Sequence, residues 1–330
     1  NGLQRGNAMT DHNFIPWWVR HQHWLAAAAA VTLAALAGVF IVYPVATAPD
    51  VGAPDDDDLP PAFSEDGDFE RLDDPAHGSW RDRFDEPIQD YDRWLETRPA
   101  PPSEDRKIIY LQPVGAFGED APDLEVIAEG VRIYTGMETR IRPPMPFHKL
   151  DARTRKNPIG GHRQWHSADM LEGLRSHKPD DAYTVLALTM TDLWPREGWN
   201  FVFGQASLRH NVGVQSFARY DPDREISHRI LGGTDLTRDQ VILRRSLKVV
   251  LHELGHTFGI RHCQHYKCIM NGSNSLRETD EAPIHMCPVD LRKMQHAVGF
   301  DLDERYRELG DFYERLGLHA DAAFVRKRAE

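Results

Sequence analysis

The side chains best suited to chemistry lie in one short stretch of the chain, His252-Glu253-Leu254-Gly255-His256-Thr257-Phe258-Gly259-Ile260-Arg261-His262. Because residues four apart share one face of a helix, His252 and His256 can present both imidazoles to a single metal ion. Glu253 is rotated away from that face, where its carboxylate can reach a water molecule on the metal. Gly259 predicts a left-handed turn that ends the helix and brings His262 back as a third ligand.

Three nitrogen ligands leave one position of a tetrahedral zinc ion for water, which is typical of catalytic zinc sites. Bound zinc lowers the pKa of that water towards about 7, and Glu253 is then the general base that takes its proton and passes it to the leaving amine. A bare HExxH is common as an exposed helix face, but the extension through Gly259 to His262 is far more restrictive. The motif therefore predicts a zinc-dependent enzyme that hydrolyses peptide bonds.

The three cysteines of the chain follow this motif closely, as Cys263, Cys268 and Cys287. An odd number cannot close into a complete disulfide framework, and the position beside a histidine cluster favours metal binding. The alternative is a set of free thiols that pack as small hydrophobic side chains.

The extended motif resembles the metzincin pattern of zinc peptidases, and the residues after it resemble those of archaemetzincins. The third histidine runs directly into Cys263, and Cys268-Ile269-Met270 and Cys287-Pro288-Val289-Asp290 follow. Further similarity lies in Thr191–Trp194, Asn200–Ala206 and Ser216–Tyr220. The resemblance covers about residues 106–330 and implies a zinc metallopeptidase, with aminopeptidase-like activity on small peptides.

The resemblance also implies a second, structural zinc ion, which the family holds with four cysteines. Three of these positions are matched, by Cys263, Cys268 and Cys287. Asp290 stands at the fourth, and a carboxylate can ligate zinc. We therefore expect a site of three cysteines and Asp290, with His285 or His265 as alternative fourth ligands.

Two further features of the site come from the resemblance alone. Met270 would form the methionine turn, a hydrophobic floor beneath the three histidines. An edge strand above the cleft would pair with extended substrate through its backbone, so that affinity does not depend on particular side chains. The segment that best fits this strand consists of Val212, Gly213, Val214, Gln215, Ser216, Phe217, Ala218 and Arg219.

From about Arg106 the sequence alternates between strand and helix signals. Strands are predicted over 108–111, 139–142, 183–190, 200–203 and 212–220. Helices are predicted over 123–134, 170–174, 237–259, 291–297, 302–316 and 320–328. Residues 106–330 should thus form one catalytic domain of the α+β class, a metzincin-like zincin fold with a small twisted mixed sheet and long helices, one of which carries the zinc ligands.

A transmembrane anchor is predicted over residues 24–48, after an N-terminal flank over 1–23. The span has no charged residue, and its apolar run of about 20 residues is long enough to cross a bilayer as a helix. Arg5 and Arg20 precede it, so the N-terminus is expected in the cytoplasm and the catalytic domain outside. A signal peptide, cleaved after Ala46-Thr47-Ala48 or left uncleaved, is the alternative.

Residues 49–105 are rich in acidic residues and proline, and they are predicted to form a tether between the anchor and the domain. Residues 50–105 carry 19 acidic and 5 basic side chains, a balance of −14, which leaves +2 for the rest of a chain with net charge −12. The domain therefore gives no electrostatic reason to expect nucleic-acid binding. Trp80 to Leu95 is an exception within the tether, since its aromatic side chains could dock on the domain.

Three alternatives to a simple active peptidase follow from the same features. The chain could be a membrane-tethered module that keeps zinc for stability alone, although Glu253 would then have no use. The function could reside in the tether, as an acidic adaptor. Finally, an acidic residue between Asp82 and Asp92 could cap the zinc ion and hold the enzyme latent.

Overall fold

The computed structural model describes residues 59–64, 67–222 and 236–329. The predicted anchor over 24–48 lies outside these residues, as do the flank over 1–23 and the first part of the predicted tether. Within the described ranges, no helix combines the length and the apolar character that a membrane span requires.

Two β-sheets contain the strands of the domain. In chain order the strands are β1 (Ile108–Pro113), β2 (Thr139–Ile141), β3 (Thr154–Lys156), β4 (Arg163–His166), β5 (Ala182–Thr189), β6 (Asp192–Trp194), β7 (Gly204–Ser207) and β8 (Val212–Ser216). The larger sheet has the order β2-β1-β5-β8-β7, and the smaller one has the order β3-β4-β6. All neighbours in the larger sheet are parallel except β7, which runs antiparallel to β8.

The helices Leu124–Thr135, Ser167–Arg175 and Arg238–Thr257 pack against the larger sheet, and further helices lie elsewhere in the described residues. In chain order the helices are α1 (Trp80–Arg83), α2 (Tyr91–Glu96), α3 (Leu124–Thr135), α4 (Ser167–Arg175), α5 (Arg238–Thr257), α6 (Leu276–Glu281), α7 (Pro288–Val298), α8 (Leu302–Arg315) and α9 (His319–Lys327). Short 3-10 turns occur at Pro61–Phe63 and Phe147–Leu150. The small mixed sheet and the long helices confirm the predicted fold class.

The central strand β5 shows how both faces of the sheet are buried. Leu186 and Leu188 belong to the hydrophobic core that includes α3 and α5. Val185 and Ala187 alternate with them and pack in a second core with Met170 of α4. A strand covered on both faces is expected to be apolar throughout, as this one is. Helix α5 is thereby fixed against one face of the sheet, where it can hold a site rigidly.

Helix α5 begins with a capping box formed by Thr237 and Gln240. The side chain of Gln240 accepts a hydrogen bond from the backbone N–H of Thr237 at 2.8 Å, and the Thr237 hydroxyl accepts one from the Gln240 N–H at 3.3 Å. These two bonds satisfy donors that a helix start leaves without partners.

Some strand predictions differ from the structure. The predicted strand over 200–203 forms only an isolated bridge between Val202 and Leu193, and the true strand begins at Gly204. The strand predicted to run to residue 220 ends at Ser216. The aromatic residues around Val202 have the higher β propensity, but pairing with β8 decides where β7 lies. Strands β3, β4 and β6 are only three or four residues long and were not predicted.

Part of the predicted tether, before residue 106, is folded into helices. Helices α1 and α2 both lie within the predicted tether, and the described residues 67–105 pack on the domain. Trp94 of α2 is fully buried, and its indole N–H donates to the carbonyl of Phe258 at 2.9 Å. The acidic composition suggested disorder, but a few buried aromatic side chains outweigh it here.

Candidate metal centres

The structure brings His252, His256 and His262 together, with one ligand atom of each within 4.8 Å of the others. The Nε2 atoms of His252 and His256 lie 3.1 Å apart. In both rings Nδ1 lies 2.7 Å from a backbone carbonyl, that of Ile269 for His252 and that of Ile260 for His256. A carbonyl can only accept, so Nδ1 carries the proton and Nε2 is left with a free lone pair.

Two lone pairs that face each other repel unless a cation or a proton lies between them. Burial, together with the neighbouring imidazoles, lowers the pKa of His252 to about 3 and the pKa of His256 well below its ordinary value, so a proton does not fill this role at neutral pH. Zinc–nitrogen bonds of about 2.0–2.1 Å place two tetrahedral ligands about 3.3 Å apart. The observed 3.1 Å agrees with this spacing, and the residues therefore fit a zinc ion.

His262 reaches the cluster because α5 ends as predicted. Gly259 has a φ of +78°, a left-handed backbone conformation that residues with a β-carbon rarely adopt. Its N–H donates to the carbonyl of His256 at 3.0 Å, and the N–H of Ile260 donates to that of Gly255 at 3.3 Å. This pair of bonds is a Schellman motif, which reverses the chain and directs His262 back towards the helix.

Met270 lies beneath the histidine helix, where the methionine turn was expected. A β-carbon on Gly255 would come within 2.4 Å of the Met270 sulfur, so the helix backbone and the methionine side chain are in close contact. Asn271 closes this turn, because its side chain accepts from the N–H of Cys268 at 2.8 Å and donates to the carbonyl of Cys263 at 3.0 Å. Sequence reasoning missed Asn271, since nothing in the local pattern marks it.

Glu253 is buried, and its Oε2 atom has no hydrogen-bond partner among the described residues. Burial raises the pKa of this carboxyl to about 8. A buried carboxylate without a partner is unfavourable, and a dication in the adjacent histidine cluster would favour its charged form. The other oxygen points towards β7: a β-carbon on Gly204 would lie 2.4 Å from Glu253 Oε1.

The predicted substrate strand, Val212–Arg219, is not at the edge of the sheet. Strand β8 lies between β5 and β7, so its backbone is paired on both sides. After the strand ends, Arg219 donates to the buried carboxylate of Asp192 at 2.7 Å. The edge beside Glu253 is β7 instead, which begins at Gly204. Strand order depends on tertiary pairing, and the sequence of β8 alone does not reveal it.

The second cluster contains Cys263, Cys268, Cys287 and Asp290, all buried and with their ligand atoms within 4.8 Å of one another. The sulfurs of Cys263 and Cys287 are 3.7 Å apart, and Asp290 Oδ2 lies 3.4 Å from the sulfur of Cys268 and 3.6 Å from that of Cys287. Tetrahedral zinc with ordinary bond lengths requires about 3.8 Å between two sulfurs and about 3.5 Å between sulfur and oxygen. The donor set and its spacing thus fit zinc.

The other oxygen of Asp290 has its own partner. Lys293, which is 1% exposed, places its ammonium 2.8 Å from Asp290 Oδ1. Burial raises the pKa of Asp290 to about 6 although the charge of Lys293 opposes that rise. The same ammonium donates to the backbone carbonyl of Gln89 at 2.6 Å. One carboxylate oxygen is therefore available to the cluster while the other is held by a buried cation.

Neither alternative fourth ligand joins this cluster. His285 stacks on Phe324 with ring centroids 3.6 Å apart. His265 is likewise not among the clustered ligand atoms in the described ranges. Asp290 is the residue whose side chain lies with the three cysteine sulfurs.

A carboxylate outside the motif contacts His262. The oxygens of Glu86 lie 2.8 and 2.9 Å from His262 Nδ1, and the indole N–H of Trp80 donates to Glu86 at 3.0 Å. Burial would raise the pKa of Glu86, but the bonds from His262 and Trp80 outweigh it and hold the pKa below its usual range. Sequence reasoning did not single out Glu86; the only signal was an acidic residue within an aromatic-rich stretch.

The histidine helix, the glycine turn, the third histidine and the methionine beneath them define a zinc peptidase of the metzincin class. The sequence model of the family described as peptidase family M54 matches residues 166–296 of this chain. Archaemetzincin-2 of Mus musculus is 35% identical over an alignment of 285 positions that covers 79% of this chain and 79% of that protein. Archaemetzincin-2 of Homo sapiens is 36% identical and covers 70% of each chain. The chain therefore belongs to the archaemetzincin family of zinc metallopeptidases.

Solved structures of archaemetzincins are also similar to this chain. The protein from Methanopyrus kandleri is 30% identical with a TM-score of 0.44, covering 60% of this chain and 99% of that one. The protein from Archaeoglobus fulgidus, complexed with malonate, is 25% identical with a TM-score of 0.42, covering 56% and 99%.

The contact between Gly204 and Glu253 generates a prediction. If Glu253 is the general base, Gly204→Ala should displace its carboxylate and lower kcat for peptide cleavage by about 10²-fold, the cost of misplacing such a group by about 1 Å. Zinc content, measured by mass spectrometry, should stay at the wild-type value because no ligand moves. Gly118→Ala is the matched control, since a β-carbon there meets nothing within 4 Å. Wild-type kcat in Gly204→Ala would contradict the assigned position of Glu253.

Proposed function

We propose that this chain hydrolyses peptide bonds with a zinc ion held by His252, His256 and His262, and with Glu253 as the general base. The observation that carries the proposal is the buried carboxyl of Glu253, whose Oε2 has no hydrogen-bond partner in the described part of the chain and which directly follows the first of three converging histidines. When bound, zinc polarises the substrate carbonyl and acidifies water. Glu253 can take a proton and return it to the leaving amine.

The free edge of β7 is the proposed binding strand for the substrate. Strand β7 is the last strand of the larger sheet as far as the structure describes it, and it starts at Gly204 beside Glu253. An extended peptide can add to such an edge through backbone hydrogen bonds. Aminopeptidase-like cleavage of short peptides is the narrower proposal, and it rests on the family resemblance.

The test is peptide cleavage by the full chain and by its Glu253→Gln variant, read by mass spectrometry on a mixed peptide library. The substitution keeps the shape of the side chain but removes the base, so we expect cleavage to fall about 10²–10⁴-fold. Zinc content should remain unchanged. Loss of single residues from the amino end would support aminopeptidase action, and internal cuts would oppose it.

Other outcomes would identify the alternatives. Equal cleavage by both proteins would contradict the role of Glu253. No cleavage by the wild type, with zinc bound at the histidines, would favour a zinc-stabilised binding module instead.

We further propose that Cys263, Cys268, Cys287 and Asp290 hold a second, structural zinc ion. The separations between these ligand atoms support the proposal, as does the donor set of three sulfurs and one oxygen. Lys293 adds a positive charge beside a site that would otherwise carry two net negative charges.

Zinc stoichiometry tests this second site. Asp290→Ala should lower zinc from two ions per chain towards one, because it removes a ligand. Asp290→Cys supplies a fourth thiolate and should retain two ions, although it also leaves Lys293 without its partner. This pair of variants separates ligation from the cost of a buried unpaired lysine, which is about 3–5 kcal/mol. Two ions in Asp290→Ala would exclude Asp290 as a ligand.

We also propose that residues 24–48 anchor the chain in a membrane, with the N-terminus in the cytoplasm and the catalytic domain outside. The uncharged apolar run supports this proposal. The full chain should stay in the membrane pellet after alkaline extraction. Leu36→Arg combined with Val39→Arg should release it, since each arginine costs about 2.5–3.5 kcal/mol at the centre of a span. A soluble chain shortened at residue 48 would show instead that the segment is a cleaved signal.

A further inference from the structure

The three histidines of the catalytic cluster are held in different ways. His252 and His256 lie on α5, and each donates its Nδ1 proton to a backbone carbonyl at 2.7 Å. His262 lies beyond the end of the helix, and the acceptor at its Nδ1 is the carboxylate of Glu86, at 2.8 Å. The side chain that orients the third histidine thus comes from a segment 176 residues earlier in the chain.

Glu86 is itself held in place. The Trp80 indole N–H donates to its Oε2 at 3.0 Å, and the side-chain amide of Gln264 lies 3.4 Å from the same oxygen. Trp80 packs so closely on Gly272, just after the methionine turn, that a β-carbon there would lie 2.4 Å from the indole nitrogen. The carboxylate is therefore not a mobile surface group, and its position is set by contacts around the site.

A second residue of the same segment holds the turn that delivers His262. The side chain of Gln89 donates to the carbonyl of Gly259 at 3.1 Å and accepts from the N–H of Arg261 at 2.9 Å. Its backbone carbonyl accepts from Lys293, the partner of Asp290. The segment thus contacts the backbone between the end of the Schellman motif and His262, and it reaches the second cluster.

A carboxylate on the outer nitrogen of a metal-bound histidine has a known physical effect. It fixes the tautomer and the orientation of the ring, and it makes the inner nitrogen more basic. For His262 this matters more than for the helical histidines, because no helix restrains its ring. Removing such a partner typically costs about 10–100-fold in metal affinity.

We propose that Glu86 is a positioning residue of the catalytic zinc centre, which fixes the tautomer and orientation of His262 from a segment far away in the sequence. This inference rests on the proposed zinc site of the three histidines. It differs from the latency hypothesis, in which an acidic residue of this segment would cap zinc and block the enzyme.

The experiment compares the full chain with Glu86→Gln, Glu86→Ala and the neighbouring control Asp85→Asn. Asp85 is exposed, and its substitution removes the same charge one residue away. Zinc affinity is measured by competition with a chelator, and His256→Ala identifies the part of the signal that belongs to the histidine site. The Co²⁺-substituted proteins are also compared by their visible absorption, which reports the ligand geometry directly.

We expect Glu86→Gln and Glu86→Ala to weaken zinc binding at the histidine site about 10–100-fold, with an altered Co²⁺ spectrum. Zinc at the cysteine cluster and the melting temperature of Glu86→Gln should stay close to the wild type, as should all properties of Asp85→Asn. Because Gln is isosteric with Glu, this variant decides the matter if Glu86→Ala does not fold.

Two results would overturn the inference. Wild-type zinc affinity and Co²⁺ spectrum in both Glu86 variants would show that the carboxylate does not position His262. Faster peptide cleavage with unchanged affinity would show that Glu86 blocks the site instead. If His256→Ala binds as much zinc as the wild type, the proposed histidine site itself fails, and that outcome is separate from the role of Glu86.

Discussion

The convergence of three imidazole nitrogens is the constraint on which the domain depends. The Nε2 atoms of His252 and His256 are 3.1 Å apart and their lone pairs repel, so the chain must supply rigidity before any cation binds. Helix α5 provides it through a buried face that includes Leu247, Val250 and Leu254, packed against the sheet. The carbonyls at the Nδ1 atoms set the tautomers. Packing against the sheet and the other helices thus holds in place the turn and a half of helix that carries His252 and His256.

The two clusters are mechanically linked because they share a loop. Cys263 follows His262 directly, and Cys268 precedes Met270 by two residues. The N–H of Cys263 donates to the carbonyl of Met270 at 2.9 Å, which closes this loop beneath the histidines. A metal ion on the cysteines would therefore fix both ends of the loop that separates the third histidine from the methionine floor. The histidine and cysteine clusters are therefore better regarded as one assembly with two sets of candidate ligands.

The histidine helix and the cysteine set could be predicted because their residues are close in sequence, where spacing translates directly into geometry. Gly259 was predicted for the same reason, since a helix end has local chemistry. Glu86 could not be assigned, because its contact with His262 spans 176 residues and depends on how a whole segment docks. Strand β7 was misplaced because the small side chains that start at Gly204 have low β propensity. Its position depends on pairing with β8 and on the absence of a side chain at Gly204, where a β-carbon would clash with Glu253.

The acidic stretch shows why composition can mislead about order. Average charge and proline content describe the whole segment, but its ordering free energy is set by a few side chains. A fully buried tryptophan such as Trp94 typically contributes about 3–5 kcal/mol, enough to offset the backbone entropy of roughly two to four residues. Gln89 adds backbone hydrogen bonds at the helix end. Many of the acidic side chains can remain in solvent without opposing the docking of the segment on the domain. Glu86 is partly buried and meets an imidazole N–H and an indole N–H, so its charge is compensated.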